Sequence, residues 1–300
     1  MIEKIVETGI NRRTFLRLSA ATAILNPFSI DYAVGEEMPL TQPIEQQIIK
    51  MMKAGRIESD EVVAFLVYDH TADKLLVARH ANIPLQTAST VKPMLGLAAL
   101  LDVKNGSIKD DNDFKIHFEK MIAKSDNDST NIIFDKVKGP HRAEKILRDN
   151  YPEIFKGIRI VEVIPSEGKT YENRASAMDH FRFWKALYEN KVHGAGRIKK
   201  EMYRATATIF PWSAKESDAD VYHKIGKTAH QKSGVGTVIR KDKSGKEHAY
   251  TIVAILEKNQ RPKDREEYRK YNARVDDVLQ DLSVTANSYM RRKYDLLPAK

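Results

Sequence analysis

The stretch Ser89-Thr90-Val91-Lys92 stands where a β-rich segment hands over to an apolar helix carrying Met94, Leu95, Leu97, Ala98, Leu100 and Leu101. Residues three apart at the start of a helix share a face, so the Ser89 hydroxyl and the Lys92 amine can meet. A serine attacks a carbonyl well when a neighbour takes its proton, and a lysine does this when burial and nearby cations hold its pKa down. The helix N-terminus adds backbone N–H groups that stabilise an oxyanion. Upstream of the junction, residues 62–68 predict a strand. Asp69-His70-Thr71-Ala72-Asp73-Lys74 supplies turn chemistry, and residues 75–79 return as the second arm of a hairpin. Further back, Ile44, Ile48, Ile49, Met51 and Met52 predict a helix up to about Gly55. A second Ser-x-x-Lys, Ser166-Glu167-Gly168-Lys169, follows Pro165 inside a loop and lacks this context.

Downstream, helical periodicity dominates residues 93–189, broken by loops at Asn105-Gly106, Gly139-Pro140 and residues 165–173, with residues 158–164 a further strand candidate. Three strands then follow at residues 221–227, 235–241 and 249–257. Their separators, His230-Gln231-Lys232-Ser233-Gly234 and Asp242-Lys243-Ser244-Gly245-Lys246, both have the composition of hairpin turns. A charged helix over about 264–295 carries Tyr268, Tyr271, Val275, Val278, Leu279 and Leu282 as an apolar stripe that would lie on the sheet. This order predicts an α/β (α+β) fold: a five-stranded antiparallel sheet built from both chain ends, flanked by helices, with an all-helical region inserted at about 93–215.

The 300 residues, 42% apolar and 30% charged, provide enough chain to bury a core and suit a soluble globular protein. Cysteine is absent, which excludes disulfides, thiolate metal sites and a cysteine nucleophile. A net charge of +9 suits anionic surroundings without choosing among them. At the N-terminus, Asn11-Arg12-Arg13-Thr14-Phe15-Leu16 and a weakly apolar run over 19–30 resemble a twin-arginine export signal. The run is too short and too interrupted to span about 30 Å of hydrocarbon. Residues 1–35 are therefore expected to be a signal and 36–300 the functional domain, exported to the periplasm or beyond, with no stable membrane insertion after cleavage. Gly226-Lys227-Thr228 lacks the glycine-rich run of a phosphate loop, and no Gly-x-Ser-x-Gly elbow or His-Glu-x-x-His pair occurs. The basic stretch over 261–274 alternates with Asp264, Glu266 and Glu267, as a solvated helix face does, so no nucleic-acid partner is expected.

Ser125-Asp126-Asn127, ahead of Ile132, Ile133 and Phe134, has the composition of a helix N-cap. Together with Ser89-Thr90-Val91-Lys92 it resembles the motif set of class A β-lactamases and penicillin-binding proteins over about residues 40–300, although the interval from Ser89 to Ser125 is shorter than class A enzymes show. That resemblance implies that Ser89 is the acylated nucleophile and Lys92 its proton acceptor. Ser125 would relay a proton to the leaving group, and Asn127 would hold Lys92 and the substrate amide carbonyl. The family's third motif, lysine-hydroxyl-glycine, belongs on the strand beside the nucleophile. Lys232-Ser233-Gly234 and Lys243-Ser244-Gly245 fall in the expected turns, so counting strands favours Lys224-Ile225-Gly226, with Lys232 the alternative lysine. There Lys224 supplies a cation for a substrate carboxylate, Gly226 permits close approach, and the Lys227 N–H joins the Ser89 N–H at the oxyanion. Ile225 replaces the hydroxyl residue, and Thr228, on the same face as Lys224 and Gly226, is the candidate to restore it. A deacylating glutamate is sought among Glu162, Glu167 and Glu172, while Asn173 to Asp179 resembles the family's loop-to-helix entry. The implied function is an exported serine acyl-hydrolase opening β-lactams through an acyl-enzyme on Ser89. A D-alanyl-D-alanine peptidase acting on peptidoglycan peptides, or a silent cell-wall-binding module, are the alternatives. No metal or organic cofactor is expected.

Overall fold

The structure, a computed structural model, describes residues 38–165, 172–205 and 219–296. The double arginine, the second Ser-x-x-Lys and Glu167 lie outside the described residues. In chain order, helix α1 (Thr41–Lys53) precedes the hairpin of β1 (Glu61–Asp69) and β2 (Lys74–Arg79). A short strand β3 (Leu85–Gln86) leads through a 3₁₀ turn (Ala88–Val91) into α2 (Lys92–Lys104). The middle of the chain supplies α3 (Asn112–Ala123), α4 (Asn127–Lys136), α5 (Pro140–Asn150) and α6 (Pro152–Phe155). It continues with strand β4 (Arg174–Ala175) and helices α7 (Ala177–Tyr188) and α8 (Ala195–Tyr203), the last beyond the periodicity read from sequence. Strands β5 (Ala219–Lys227), β6 (Gln231–Lys241) and β7 (Glu247–Lys258) and the long helix α9 (Arg265–Tyr294) close the fold.

The five-stranded sheet is antiparallel in the order β2-β1-β7-β6-β5, so strands from both chain ends meet at β1 and β7, as expected. β1 and β7 are buried on both faces, which their near-continuous apolar sequences require once helices cover both sides. One face packs on α1 and α9, where Phe65, Ile252, Ala254 and Leu256 meet Val275, Val278, Leu279 and Leu282. Each large side chain buried there is worth about 1.5–3 kcal/mol. The helices start where the sequence provides caps: Asp111, Asp126 and Asp264 accept backbone N–H groups, Ser176 and Asp179 form a capping box, and Pro140 follows Gly139, whose φ of 100° suits glycine.

Two expectations are corrected. Lys232-Ser233-Gly234 lies inside β6, not in a turn: the connection is only Thr228 to His230. It closes early because His230 is pinned to β7, its Nδ1 donating to Lys258 O at 2.7 Å while the Lys258 N–H donates to His230 O at 2.8 Å. Residues 158–164 form no strand beyond one bridge, Arg159 to Arg174. Their N–H groups go to side chains instead: Ile160 to Glu144, Val161 and Glu162 to Asn173, and Ile164 to Asn131.

Candidate functional site

Ser89 is the second residue of the 3₁₀ turn and is half-buried, with Ala88, Thr90 and Val91 buried around it. Ala88 has a φ of 45°, a left-handed conformation costing a non-glycine residue on the order of 1 kcal/mol, so neighbours must hold the turn. They do so from several sides. The Thr87 N–H donates to Asn173 O at 3.0 Å, and the Gln86 N–H donates to Glu257 Oε2 at 2.6 Å. β5 comes so close that a Cβ added to Gly226 would lie 2.8 Å from Thr87 O and 3.0 Å from the Ala88 Cβ. Glycine is what lets the strand abut the turn.

Lys92 begins α2 and is fully buried. Its Nζ donates to Ser125 O at 2.6 Å, Asn127 Oδ1 at 2.8 Å and Ser125 Oγ at 3.3 Å. The Ser89 hydroxyl, one turn earlier, is not among these three partners. Loss of hydration pushes the Lys92 pKa down to about 8, against the opposing pull of Asp126. Ser125 is itself left-handed, with φ 57°, which turns its carbonyl and hydroxyl together toward the amine. Lys224 is also buried, its Nζ donating to Ile122 O at 3.1 Å. Burial, and after it the cation of Lys92, holds Lys224 well below the usual lysine range. Two ammonium groups so placed repel, and the cost falls on Lys224.

Strand register settles which residues of the third motif face this pair. Gly226 pairs with Ser233 and Lys224 with Val235, on the sheet face turned to the helical region. Lys232 is on the opposite face, its Nζ 2.5 Å from Asp276 Oδ2 and donating to Asn272 O, both on α9. Lys243 is exposed in the turn after β6, beside Asp295. Ile225 packs against the α9 side of the core, so its side chain is turned away from Lys92. Thr228 does share the face of Lys224, but it is buried at the end of β5 with its hydroxyl donating to Gln86 Oε1 at 3.0 Å. The Thr228 N–H donates to Gln231 O, and in an antiparallel ladder such pairs alternate. The Lys227 N–H therefore points away from β6, along the outer side of the edge strand β5.

The loop leading into β4 is held by two asparagines for which the sequence offered no role. Asn131, one turn after Asn127 on α4, clips Ile164 from both sides: its Oδ1 accepts the Ile164 N–H at 2.9 Å and its Nδ2 donates to Ile164 O at 2.6 Å. Asn173 Oδ1 accepts from Val161 and Glu162, and its Nδ2 donates to Glu162 O. The Glu162 carboxylate accepts the N–H groups of Glu172 and Asn173 at 2.8 and 3.3 Å, closing the loop on itself. Glu172 is exposed. Helical spacing from Asn127 was the available signal for Asn131; Asn173 had none beyond its position before the α7 cap.

The fold has close counterparts. PBP-A superposes with a TM-score of 0.63 in a mutant solved as an acyl-enzyme complex with penicillin G, at 16% identity over 82% of this chain and 97% of that one. An engineered variant of the class A β-lactamase of the last common ancestor of Gram-negative bacteria gives 0.63 at 17% identity, over 81% and 97%. A representative class A β-lactamase from Bacteroides cellulosilyticus DSM 14838 gives 0.61 at 17% identity, over 83% and 99%. No curated protein matches the sequence. The sequence pattern of the beta-lactamase enzyme family matches residues 114–287, more than half of the chain, and with the sheet topology it shows that this chain belongs to the beta-lactamase enzyme family.

Proposed function

We propose that the protein is a serine acyl-hydrolase that opens a β-lactam or a peptide amide through an acyl-enzyme on Ser89. The observation that carries this reading is the buried Lys92 amine, one helical turn from Ser89 and bonded to Ser125 and Asn127. As an ammonium, Nζ uses all three protons on these partners; once neutral it keeps the two short bonds and gains a lone pair. That lone pair takes the Ser89 proton as Oγ attacks the carbonyl carbon. The resulting oxyanion sits between the Ser89 and Lys227 N–H groups. Ser125 then gives its hydroxyl proton to the leaving nitrogen and recovers one from Lys92. The C–N bond breaks, and the acyl group remains as an ester on Ser89. Asn127, with Oδ1 engaged by Lys92, offers Nδ2 to a substrate carbonyl. Lys224 is buried with its Nζ bonded to the Ile122 carbonyl, and the repulsion within the pair falls on Lys224, leaving Lys92 to carry the working proton.

Water must then cleave the ester. Glu162 has its carboxylate committed to backbone N–H groups, and the residue that Asn131 anchors beside the site is the apolar Ile164. Among the described residues this favours a long-lived acyl-enzyme, as a peptidase of the penicillin-binding type would form, over rapid β-lactam turnover. Intact mass after mixing with benzylpenicillin separates the readings. A persistent adduct of one penicillin that Ser89→Ala abolishes supports the peptidase form, and rapid loss of drug supports the lactamase form. Neither event leaves a binding module and overturns the enzymatic reading. Export through the twin-arginine route is proposed with it: Arg12→Lys with Arg13→Lys should leave precursor in the cytoplasm, and unchanged export would refute that route.

A further inference from the structure

Thr90, the residue after Ser89, is fully buried, and its hydroxyl lies between two acceptors: Thr87 O at 2.6 Å and Nε2 of His180, on α7, at 2.7 Å. His180 is also fully buried, and its other nitrogen, Nδ1, is 2.9 Å from Ser176 O. A carbonyl oxygen only accepts, so Nδ1 carries the ring proton. Burial favours the uncharged ring, leaving Nε2 as a lone pair facing Thr90. The single hydroxyl proton goes to one of these two acceptors at a time, so Thr90 links the 3₁₀ turn to the histidine by exchanging between them. The anchor of that ring is rigid, because Ser176 and Asp179 close a capping box at the start of α7. The stretch from Asn173 to His180 therefore holds the turn at both ends: Asn173 O accepts the Thr87 N–H, and His180 accepts the Thr90 hydroxyl. Between these two grips sit the left-handed Ala88 and Ser89.

We propose that His180 is a positioning residue for the acylating serine, gripping the turn through the Thr90 hydroxyl so that the Ser89 Oγ and N–H stay aimed at the substrate carbonyl. This role rests on the acyl-enzyme reading above. A histidine that merely fills the core would affect folding stability alone. A positioning histidine controls the rate at which bound substrate acylates, because a misplacement of about 1 Å costs roughly a hundredfold in rate.

The test follows benzylpenicillin acylation by intact mass over a range of drug concentrations, which separates the limiting rate from the half-saturating concentration. Thr90→Val, similar in shape, and His180→Leu should each slow the limiting rate at least about tenfold with half-saturation unchanged. The double variant should be no slower than the slower single variant, since both remove the Thr90–His180 contact, Thr90→Val together with the bond to Thr87 O. His180→Gln, whose Oε1 can accept from Thr90, should recover most of the rate. Wild-type acylation by Thr90→Val, or losses that multiply in the double variant, would overturn the proposal. Should His180→Leu fail to fold, Thr90→Val against His180→Gln decides the matter. Absence of any adduct on the wild type brings down the acyl-enzyme reading and the positioning role together; a normal wild-type adduct with an unaffected Thr90→Val brings down the positioning role alone.

Discussion

The two faces of the sheet are built on opposite principles. Toward α1 and α9 the strands present Phe65, Ile252, Ala254 and Leu256 to a continuous apolar stripe. Toward the helical region the same strands carry polar residues in cross-strand register: Tyr68 beside Thr251, Thr251 beside Thr237, and Thr237 beside Tyr222, with Lys224 and Gly226 further along β5. On the first face many interchangeable contacts share the load, so no single residue is decisive for geometry. On the second, each buried polar group needs a particular partner, and two lysines are held out of water near each other. Stability is thus concentrated on one side and the proposed chemistry on the other.

The largest expected effect tests the chemical side. Ser89→Ala should remove the penicillin adduct entirely while leaving the thermal unfolding midpoint within a few degrees of wild type; an adduct surviving at another residue would break the assignment. Lys92→Met comes next. It removes the proton acceptor and should slow acylation by about 10²–10⁴-fold. Because it also replaces a buried amine with an apolar side chain of similar length, the midpoint should hold or rise. On the proposed mechanism the neutral amine of the wild type is the working form. With the Lys92 pKa near 8, acylation should rise about tenfold per pH unit below that value and level off above it. A profile flat from pH 6 to pH 9 would show that Lys92 does not take the proton.

How much of this was legible in the sequence follows the same division. The α9 stripe, the β1–β2 hairpin and the antiparallel sheet came from periodicity, because burial on one side of an element leaves a regular imprint. The strand beside the Ser89 turn could be found by counting strands, and β5 is that strand. Lys232 reads as a turn residue because the groups that make it acceptable in a strand, Asp276 and Asn272, lie far along the chain on α9. Residues 158–164 read as a strand from their apolar alternation, yet their N–H groups are taken by Glu144, Asn131 and Asn173. Lone polar side chains acting over long sequence separations leave no periodic trace. His180 was invisible for that reason.

The apolar face makes the complementary prediction. Leu279→Ala, in the middle of the α9 stripe, should cost about 2–5 kcal/mol of stability by denaturant unfolding. The folded fraction should nonetheless acylate at the wild-type rate, because Leu279 lies across the sheet from Lys92. A slowed acylation in folded Leu279→Ala protein would mean that the two faces are mechanically coupled. The smallest effect belongs to Glu162→Gln. The amide keeps an acceptor oxygen for the Glu172 and Asn173 N–H groups but loses the charge that strengthens those bonds, so a loss of about 1 kcal/mol is expected. Acylation should be unchanged, and so should the lifetime of the adduct, since in this geometry the carboxylate fastens a loop and does not face the ester. If the adduct instead became longer-lived in Glu162→Gln than in the wild type, the carboxylate would have to leave its backbone partners during turnover. The contrast between a structural loop and a reactive cleft would then fail at this residue.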